Sequence, residues 1–206
     1  ISCGANHTVL CTEDGLVFSW GANHFAQLGH SARLLFVREA TIIEELSSIV
    51  SVACGTSHSV FLDKNGKVYT VGSNIFGELG VAELLPPGII NPVKFDYPIA
   101  KISAGAYSTT ALTEIGTVYQ WGLLRGPNMT KHQATPRLVT SLVKDNKFVV
   151  DVASGITHTV FHSDISLSEL LPTLLQCCSY KGNFNGEPLL KNILTLPHLN
   201  RSFKYI

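Results

Sequence analysis

The chain has 206 residues, 45% of them hydrophobic and 15% charged, with 15 Lys and Arg against 15 Asp and Glu. Such a composition can bury a sizeable core and excludes a disordered chain. The zero formal net charge speaks against a nonspecific nucleic-acid surface or a polybasic membrane surface, and no apolar run is long enough to span a bilayer.

The chain opens in mid-pattern on Ile1-Ser2-Cys3-Gly4, with no Met and no signal peptide, which reads as part of a longer protein. Gly4-Ala5-Asn6-His7-Thr8-Val9 begins a unit that continues through a polar turn at Glu13-Asp14-Gly15, a return strand from Leu16 to Gly21 that includes Trp20, and a loop from Asn23 to Gly29. The same order returns from Gly55-Thr56-Ser57-His58-Ser59-Val60. Here Ser51–Cys54 is an entry strand, Gly55 is expected at positive φ in a turn or bulge, and His58–Leu62 is a second strand with Val60 and Leu62 on one face. Asp63-Lys64-Asn65-Gly66 ends in Asn-Gly, a hairpin signal, and Lys67–Val71 returns to Gly72. Ile75–Gly80 is expected to be a loop pinned by its apolar side chains, and Pro92–Phe95 a last strand.

A third copy starts at Gly105-Ala106-Tyr107-Ser108, keeps its turn at Glu114-Ile115-Gly116 and its strand to Trp121-Gly122, then departs at Leu123-Leu124-Arg125-Gly126-Pro127, which has neither the Asn nor the Leu-Gly of the loop. A fourth runs from Gly155 through His158 to Phe161. A repeat of this length is one supersecondary unit that must stack on its neighbours to cover its apolar face. Four short strands per unit with a Gly-closed hairpin describe β-propeller blades, and three to four blades make an arc of a ring. From Asp164 the pattern changes. Ser166-Leu167-Ser168-Glu169 has capping-box spacing, and Leu170, Leu171, Leu174, Leu175 and Cys178 follow a helical stripe interrupted by Pro172. A second helical stretch follows Glu187-Pro188, so the expected division is repeats over 1–163 and a helical extension, or the start of a following domain, over 164–206.

The string Gly-x-x-His-[Ser/Thr], then Asp-x-x-Gly, Val-Tyr-x-Trp-Gly and Asn-x-x-Gly-Gln-Leu-Gly resembles the RCC1-type repeat, and it covers residues 1 to about 161. It is carried by His7, Gly15, Trp20, Gly21, Asn23, Gln27, Leu28 and Gly29, and again by His58, Gly66, Val68, Tyr69, Gly72, Asn74, Gly77, Leu79 and Gly80. Val71 stands for the usual Trp, Glu78 for Gln, Ala26 for Gly and Ser108 for His. The resemblance implies a seven-bladed propeller, of which this all-β chain would supply three to four blades before its helical tail. It also implies guanine-nucleotide exchange on a small GTPase as one activity of the family. Some relatives join such a propeller to a further domain, as alsin-like exchange factors do.

The repeat positions Gly4, His7, Gly15, Trp20, Gly21, Gly29, Gly55, His58, Gly66, Gly72, Gly80, Gly105, Gly116, Trp121, Gly122, Gly155 and His158 are read as structural. The three histidines occupy one repeat position and so point the same way in separate blades. They are expected to bond neighbouring backbone groups and not to converge on a metal. Trp20 and Trp121 read as inter-blade packing. Cys3 and Cys54 precede the repeated Gly, where a small buried hydrophobe fits better than a disulfide, and the odd count of five cysteines matches a reducing compartment. Cys177-Cys178 reads as a buried helical pair, with lipidation the alternative. No nucleophile, paired-carboxylate, zinc or phosphate-loop motif is present, so no catalytic group, cofactor or metal is expected. Arg33-Leu34-Leu35-Phe36 and Leu84-Leu85-Pro86-Pro87 are apolar loops suited either to a partner or to the next blade, and Arg125, Lys131, His132 and Arg137 read as a basic loop. The function these features imply is a protein-interaction or regulatory scaffold, with guanine-nucleotide exchange as the alternative. The partner would be a protein, such as a small GTPase, and not a nucleic acid, in the cytoplasm or the nucleus.

Overall fold

A strand with both faces apolar must be covered on both sides, and His58-Ser59-Val60-Phe61-Leu62-Asp63 is buried at every position. What covers it is a neighbouring sheet on either face. The computed structural model describes residues 1–83, 86–126, 129–145 and 147–163, the side chains of 125, 126 and 129–131 aside.

The first sheet contains β1 (Ser2–Cys3), β2 (His7–Cys11), β3 (Val17–Ala22) and β4 (Phe36–Ile42), antiparallel and in chain order. The second repeats it with β5 (Ile49–Cys54), β6 (His58–Asp63), β7 (Val68–Gly72) and β8 (Asn91–Val93). The third has β9 (Ile99–Ala104), β10 (Ser108–Thr113), β11 (Val118–Gly126) and β12 (Met129–Leu138). A five-residue helix, α1 (Thr140–Lys144), which the sequence pattern did not signal, leads to a two-stranded sheet of β13 (Val149–Ser154) and β14 (Thr159–Ser163). The helical stretches expected over 164–206, including Cys177-Cys178, lie outside the described residues, as do Leu84 and Leu85.

The apolar core sits between the sheets. Val9 and Val17 of the first sheet meet Ile49, Phe61 and Val71 of the second, closed by Ile43 and Leu46 from the connection. Val60, Leu62, Val68 and Val93 of the second meet Ile99, Ala111 and Trp121 of the third. Leu112 and Val118 then meet Val149 and Val152. Phe61 therefore faces one interface while Val60 and Leu62 face the next, as the alternation of a strand requires.

The second-to-third-strand turns tie each sheet to the one after it. In the second sheet Asp63 Oδ1 accepts from the N–H groups of Asn65 and Lys67 at 2.8 and 2.9 Å, and Thr12 and Thr113 use their hydroxyls to cap Leu16 and Thr117 in the same way. Gly66 alone in its turn has positive φ (77°), and strand pairing ends at Leu62 and Val68. The turn spans five residues, one more than the Asp63–Gly66 turn expected from sequence, because the Asp63 cap also takes the Lys67 N–H; Gly66 supplies the left-handed position that the Asn-Gly signal requires. The carbonyls of Gly15, Gly66 and Gly116 each accept a hydrogen bond from the residue that opens the next sheet: Ile49 (3.1 Å), Ile99 (2.9 Å) and Val149 (3.2 Å).

Two other expectations change. Gly55 is not at positive φ. Its role is spatial: a Cβ there would strike the His58 ring, and the Gly105 carbonyl at 2.6 Å. The stretch read as a basic loop is a strand pair, β11 with β12, in which Gln120 faces Arg137, Leu123 faces His132 and Leu124 faces Lys131. Without the Asn-loop residues, alternation simply carries the strand onward.

Replacing Gly66 by Val tests the turn. A Cβ would meet Pro98 Cβ at 2.6 Å and Ile99 N at 2.8 Å in a backbone conformation that β-branched residues avoid. We expect a loss of about 1–3 kcal/mol, read as a lower Tm. An unchanged Tm would show that the turn does not abut the following sheet.

Candidate functional site

The repeated histidines are joints between sheets. His7 Nε2 lies 3.0 Å from Ser59 Oγ in the next sheet, and Ser59 Oγ donates to the Gln27 carbonyl at 2.7 Å. One sheet further on, His58 Nε2 lies 3.1 Å from Thr109 Oγ1, which donates to the Glu78 carbonyl at 2.9 Å. Each hydroxyl has one proton and commits it to a carbonyl, so each histidine must be the donor, with its proton on Nε2. The Nε2 partners are thus side-chain hydroxyls of the neighbouring sheet, where the sequence suggested backbone groups; a backbone group of His58 also acts on the His7 ring. The rings lie against the repeated glycines: a Cβ on Gly4 would strike His7, and one on Gly55 would strike His58. Both rings are buried, and removal from water lowers the pKa of His7 to about 4 and of His58 to about 3.

The carbonyls at the end of each relay belong to the loops after β3 and β7. Asn23 Oδ1 accepts from Leu28 N–H at 3.0 Å while its amide donates to the carbonyls of Ser31 and Leu34. Asn74 Oδ1 accepts from Leu79 N–H at 3.0 Å. Gln27 accepts from Phe25 N–H at 2.9 Å, and Glu78 from Phe76 N–H at 2.7 Å. These polar anchors, with buried Leu28 and Leu79, hold the loops, whereas Ile75 is 67% exposed and pins nothing. Ala26, in the place of Gly77, is at φ 58°, a left-handed conformation that its buried methyl occupies all the same. Burial raises the Glu78 carboxyl above its usual range, so an ionised Glu78 costs stability where the equivalent Gln27 does not.

Trp121 is fully buried on the second loop, its Nε1 donating to the Glu78 carbonyl at 2.7 Å beside Gly80. Val71 leaves the corresponding space on the first loop, and Ile43 and Ile90 fill it against Gly29. Trp20 is half-buried in the first sheet. The glycines at 21, 72 and 122 lie where β3, β7 and β11 cross the first turn of their own sheet, and their successors donate to the carbonyls of Asn6, Ser57 and Tyr107. At the third interface Ser108 replaces the histidine and the Asn loop is missing too. There Ser154 N–H donates to Ser103 Oγ at 2.8 Å and Ser154 Oγ to Thr110 at 3.3 Å. His158 is exposed. Cys3 is exposed and Cys54 half-buried, so the buried setting expected for Cys3 is not found. Loss of water around its sulfur raises the Cys54 thiol to about 11, which leaves it an inert thiol.

Because the strands alternate in direction, the first-to-second-strand turns and the third-to-fourth-strand loops share one rim. Its exposed side chains include an apolar row: Phe25 (44%), Ile75 (67%), Tyr107 (38%) and Ile156 (79%), one from each sheet. Leu34, Leu35 and Phe36 adjoin it, half or more exposed, which favours the partner reading of that segment over the next-blade reading. Phe76 packs edge-on to Tyr107 (5.1 Å) and against His132 (5.2 Å), joining the second sheet's loop to the third sheet. An open groove of about 690 Å3 beside the first loop is lined by His30, Arg33, Thr41, Glu44, Glu45 and Ile89, among others. Sequence reasoning picked out Leu34–Phe36 but missed Phe25, Ile75, Tyr107 and Ile156. Their signal was partial: Ile75, Tyr107 and Ile156 are apolar where other copies of the repeat carry His24, Asn6 or Ser57, and Ala5 or Thr56, whereas Phe25 shares its repeat position with Phe76. Among the described residues no three His, Cys, Asp or Glu side chains gather as a metal site, and no helix is long and apolar enough to cross a membrane.

Comparison with known proteins agrees with this geometry. Residues 14–62 and 49–78 match two models described as the regulator of chromosome condensation (RCC1) repeat. The chain is 34% identical over 167 residues to the ultraviolet-B receptor UVR8 of Arabidopsis thaliana, covering 78% of this chain and 38% of that protein. It is 32% identical over 127 residues to the X-linked retinitis pigmentosa GTPase regulator of Mus musculus, covering 59% of this chain and 13% of that protein. Its fold matches that of Prp20p from Saccharomyces cerevisiae, a structure described with its binding to Gsp1p and histones, at a TM-score of 0.68 and 19% identity, over 85% of this chain and 46% of that one. The chain spans less than half the length of each of these proteins.

The two buried histidines make stability fall with acid. Their folded pKa values lie below the ordinary 6.5, so the unfolded chain takes up protons first. Stability is full above pH 6.5 and is lost as pH falls toward 4. Between pH 7.5 and 5 each should cost about 2 kcal/mol. Denaturant unfolding across that range, with His58→Gln flattening part of the slope, checks this. A wild-type stability that does not change from pH 7.5 to 5 would contradict it.

Proposed function

Starting from a chain that belongs to the RCC1-repeat family, we propose that its blades act as a rigid protein-interaction scaffold, with the apolar loop rim as the contact surface. The observation that supports this most is the division of labour within each repeat. His7, His58, their hydroxyl partners, the Asn side chains and Trp121 are consumed in joining blades and anchoring loops, while residues between them place Phe25, Ile75, Tyr107 and Ile156 in solvent. Loops held by a rigid frame are where recognition is usually grafted.

Regulation of a small GTPase is the second reading. It draws on the name of the mammalian relative, a GTPase regulator, and on the description of Prp20p with Gsp1p. Exchange of a guanine nucleotide requires no covalent chemistry. It requires a surface that binds the nucleotide-free GTPase more tightly than the loaded one.

The test is capture with the full chain, wild type against Phe25→Ser/Ile75→Ser/Tyr107→Ser on the loop rim and Leu16→Ser/Ile115→Ser on the turn rim. All five positions are exposed, so the variants should fold. We expect binding proteins to be lost with the loop-rim variant and kept with the turn-rim variant. Equal retention by both would overturn the scaffold reading of this rim. Acceleration of labelled-nucleotide release from a captured GTPase would select the second reading, and no acceleration would remove it.

A further inference from the structure

The groove of about 690 Å3 opens where the first two sheets part. Inside, Val9, Val17, Phe61 and Val71 close that seam. Further out, β4 is exposed at six of its seven residues and buried at none, so it leaves the seam open. Both walls of the opening are fixed. On the first sheet the Asn23 amide donates to the carbonyls of Ser31 and Leu34 at 3.2 and 2.7 Å. On the second the buried Asn91 amide donates to the Ile89 carbonyl at 2.9 Å, and Gly88 lies so close to the first loop that a Cβ would stand 3.0 Å from the His30 carbonyl. The lining is apolar at Ile42, Pro87 and Ile89. Around it stand three exposed charged side chains: Arg33, from the connection that enters β4, and Glu44 and Glu45, from the connection that leaves it. None of the three forms an ion pair among the described residues. Between these connections β4 runs from Phe36 opposite Ala22 to Ile42 opposite Phe18, about 13 Å of strand.

We propose that this groove binds an extended, dipolar segment of a partner protein. A basic side chain of that segment would face Glu44 and Glu45, an apolar one would seat on Ile42 and Ile89, and a carboxylate would face Arg33. Unpaired charges of opposite sign at the two ends of an apolar trough are complemented by an occupant with the reverse polarity. Alternate residues of an extended chain share a face, so a basic residue, an apolar one two positions on and an acidic one two further span about 13 Å on one side. A free amino acid carries its two charges too close together to meet both ends. Either chain direction satisfies the pattern, so the groove selects the charge pairing and not its order. This surface goes beyond the scaffold reading of the loop rim, since Phe25, Ile75 and Tyr107 do not line it.

Three fluorescein-labelled peptides test it by anisotropy against the full chain: Lys-Ser-Leu-Ser-Glu between Gly-Ser flanks, and the same peptide with Lys, or with Glu, at both charged positions. The dipolar peptide should bind at least five-fold more tightly than either like-charged one, with affinity falling as salt is raised from 50 to 300 mM. Arg33→Glu should weaken the dipolar peptide and shift the preference to the Lys/Lys peptide. Glu44→Lys/Glu45→Lys should shift it to the Glu/Glu peptide. Ile89→Ser should weaken all three. These side chains are exposed, so the variants should fold, and their Tm values check this. Phe25→Ser/Ile75→Ser/Tyr107→Ser should leave the dipolar peptide unaffected. Equal binding of the three peptides, no binding of the dipolar one at about 1 mM, or charge reversals that shift no preference would overturn the groove proposal. So would loss of binding with the loop-rim variant, which would place the segment on the rim. The scaffold reading is read independently, by the capture experiment.

Discussion

The joint between neighbouring sheets is what the rest of this molecule depends on. One sheet of four short strands has two apolar faces and no means of covering either. The repeat supplies the means: a histidine whose Nε2–H reaches a hydroxyl one sheet away, and a hydroxyl that passes its own proton to a loop carbonyl. Each buried hydrogen bond of this kind contributes about 1 kcal/mol net, but leaving one member unpaired costs more than that. The relay is therefore a condition on how two sheets must meet, and it sets their spacing. The glycine before each histidine is needed because the ring occupies the volume a Cβ would take.

The same relay explains how drift in one repeat stays tolerable. Its end point is the carbonyl of Gln27 or Glu78 in the Asn loop. In the third unit that loop is replaced by the long β11–β12 hairpin, so the histidine has no carbonyl to serve, and Ser108 stands in its place. That interface keeps the Ser103–Ser154 bond, whose counterpart at the first interface is Ser2–Cys54, adds the Ser154–Thr110 bond, and packs Leu112 and Val118 against Val149 and Val152. Val71 shows the same principle in the apolar core, where Ile43 and Ile90 fill the space that Trp121 fills one interface later. Departures from the repeat come in compensating sets because close packing couples neighbouring positions.

Much of the fold was legible in the sequence, since the spacing of Gly4, Gly55, Gly105 and Gly155 with alternating strands between them specifies stacked antiparallel sheets. What was not legible was any contact whose partner lies one repeat away. His58 was expected to bond a nearby backbone group, because nothing local reveals that Thr109 lies above it. Gly55 was assigned a backbone role, because a Gly needed for space and a Gly needed for positive φ look alike in sequence. The β11–β12 hairpin was hidden by the loss of its loop signals, although Leu123 and Leu124 extend the strand pattern. The exposed row of the loop rim was missed for a related reason: Phe25, Ile75 and Tyr107 read as loop hydrophobes, and only the fold shows that they share one edge.

A double-mutant cycle between His58 and Thr109 tests the central claim most directly, with His58→Ala, Thr109→Val and the pair measured by denaturant unfolding at pH 7.5. If the relay joins the sheets, the two substitutions are non-additive, with a coupling energy of about 1 kcal/mol or more. Strict additivity would contradict it and would mean that the sheets are held by apolar contact alone.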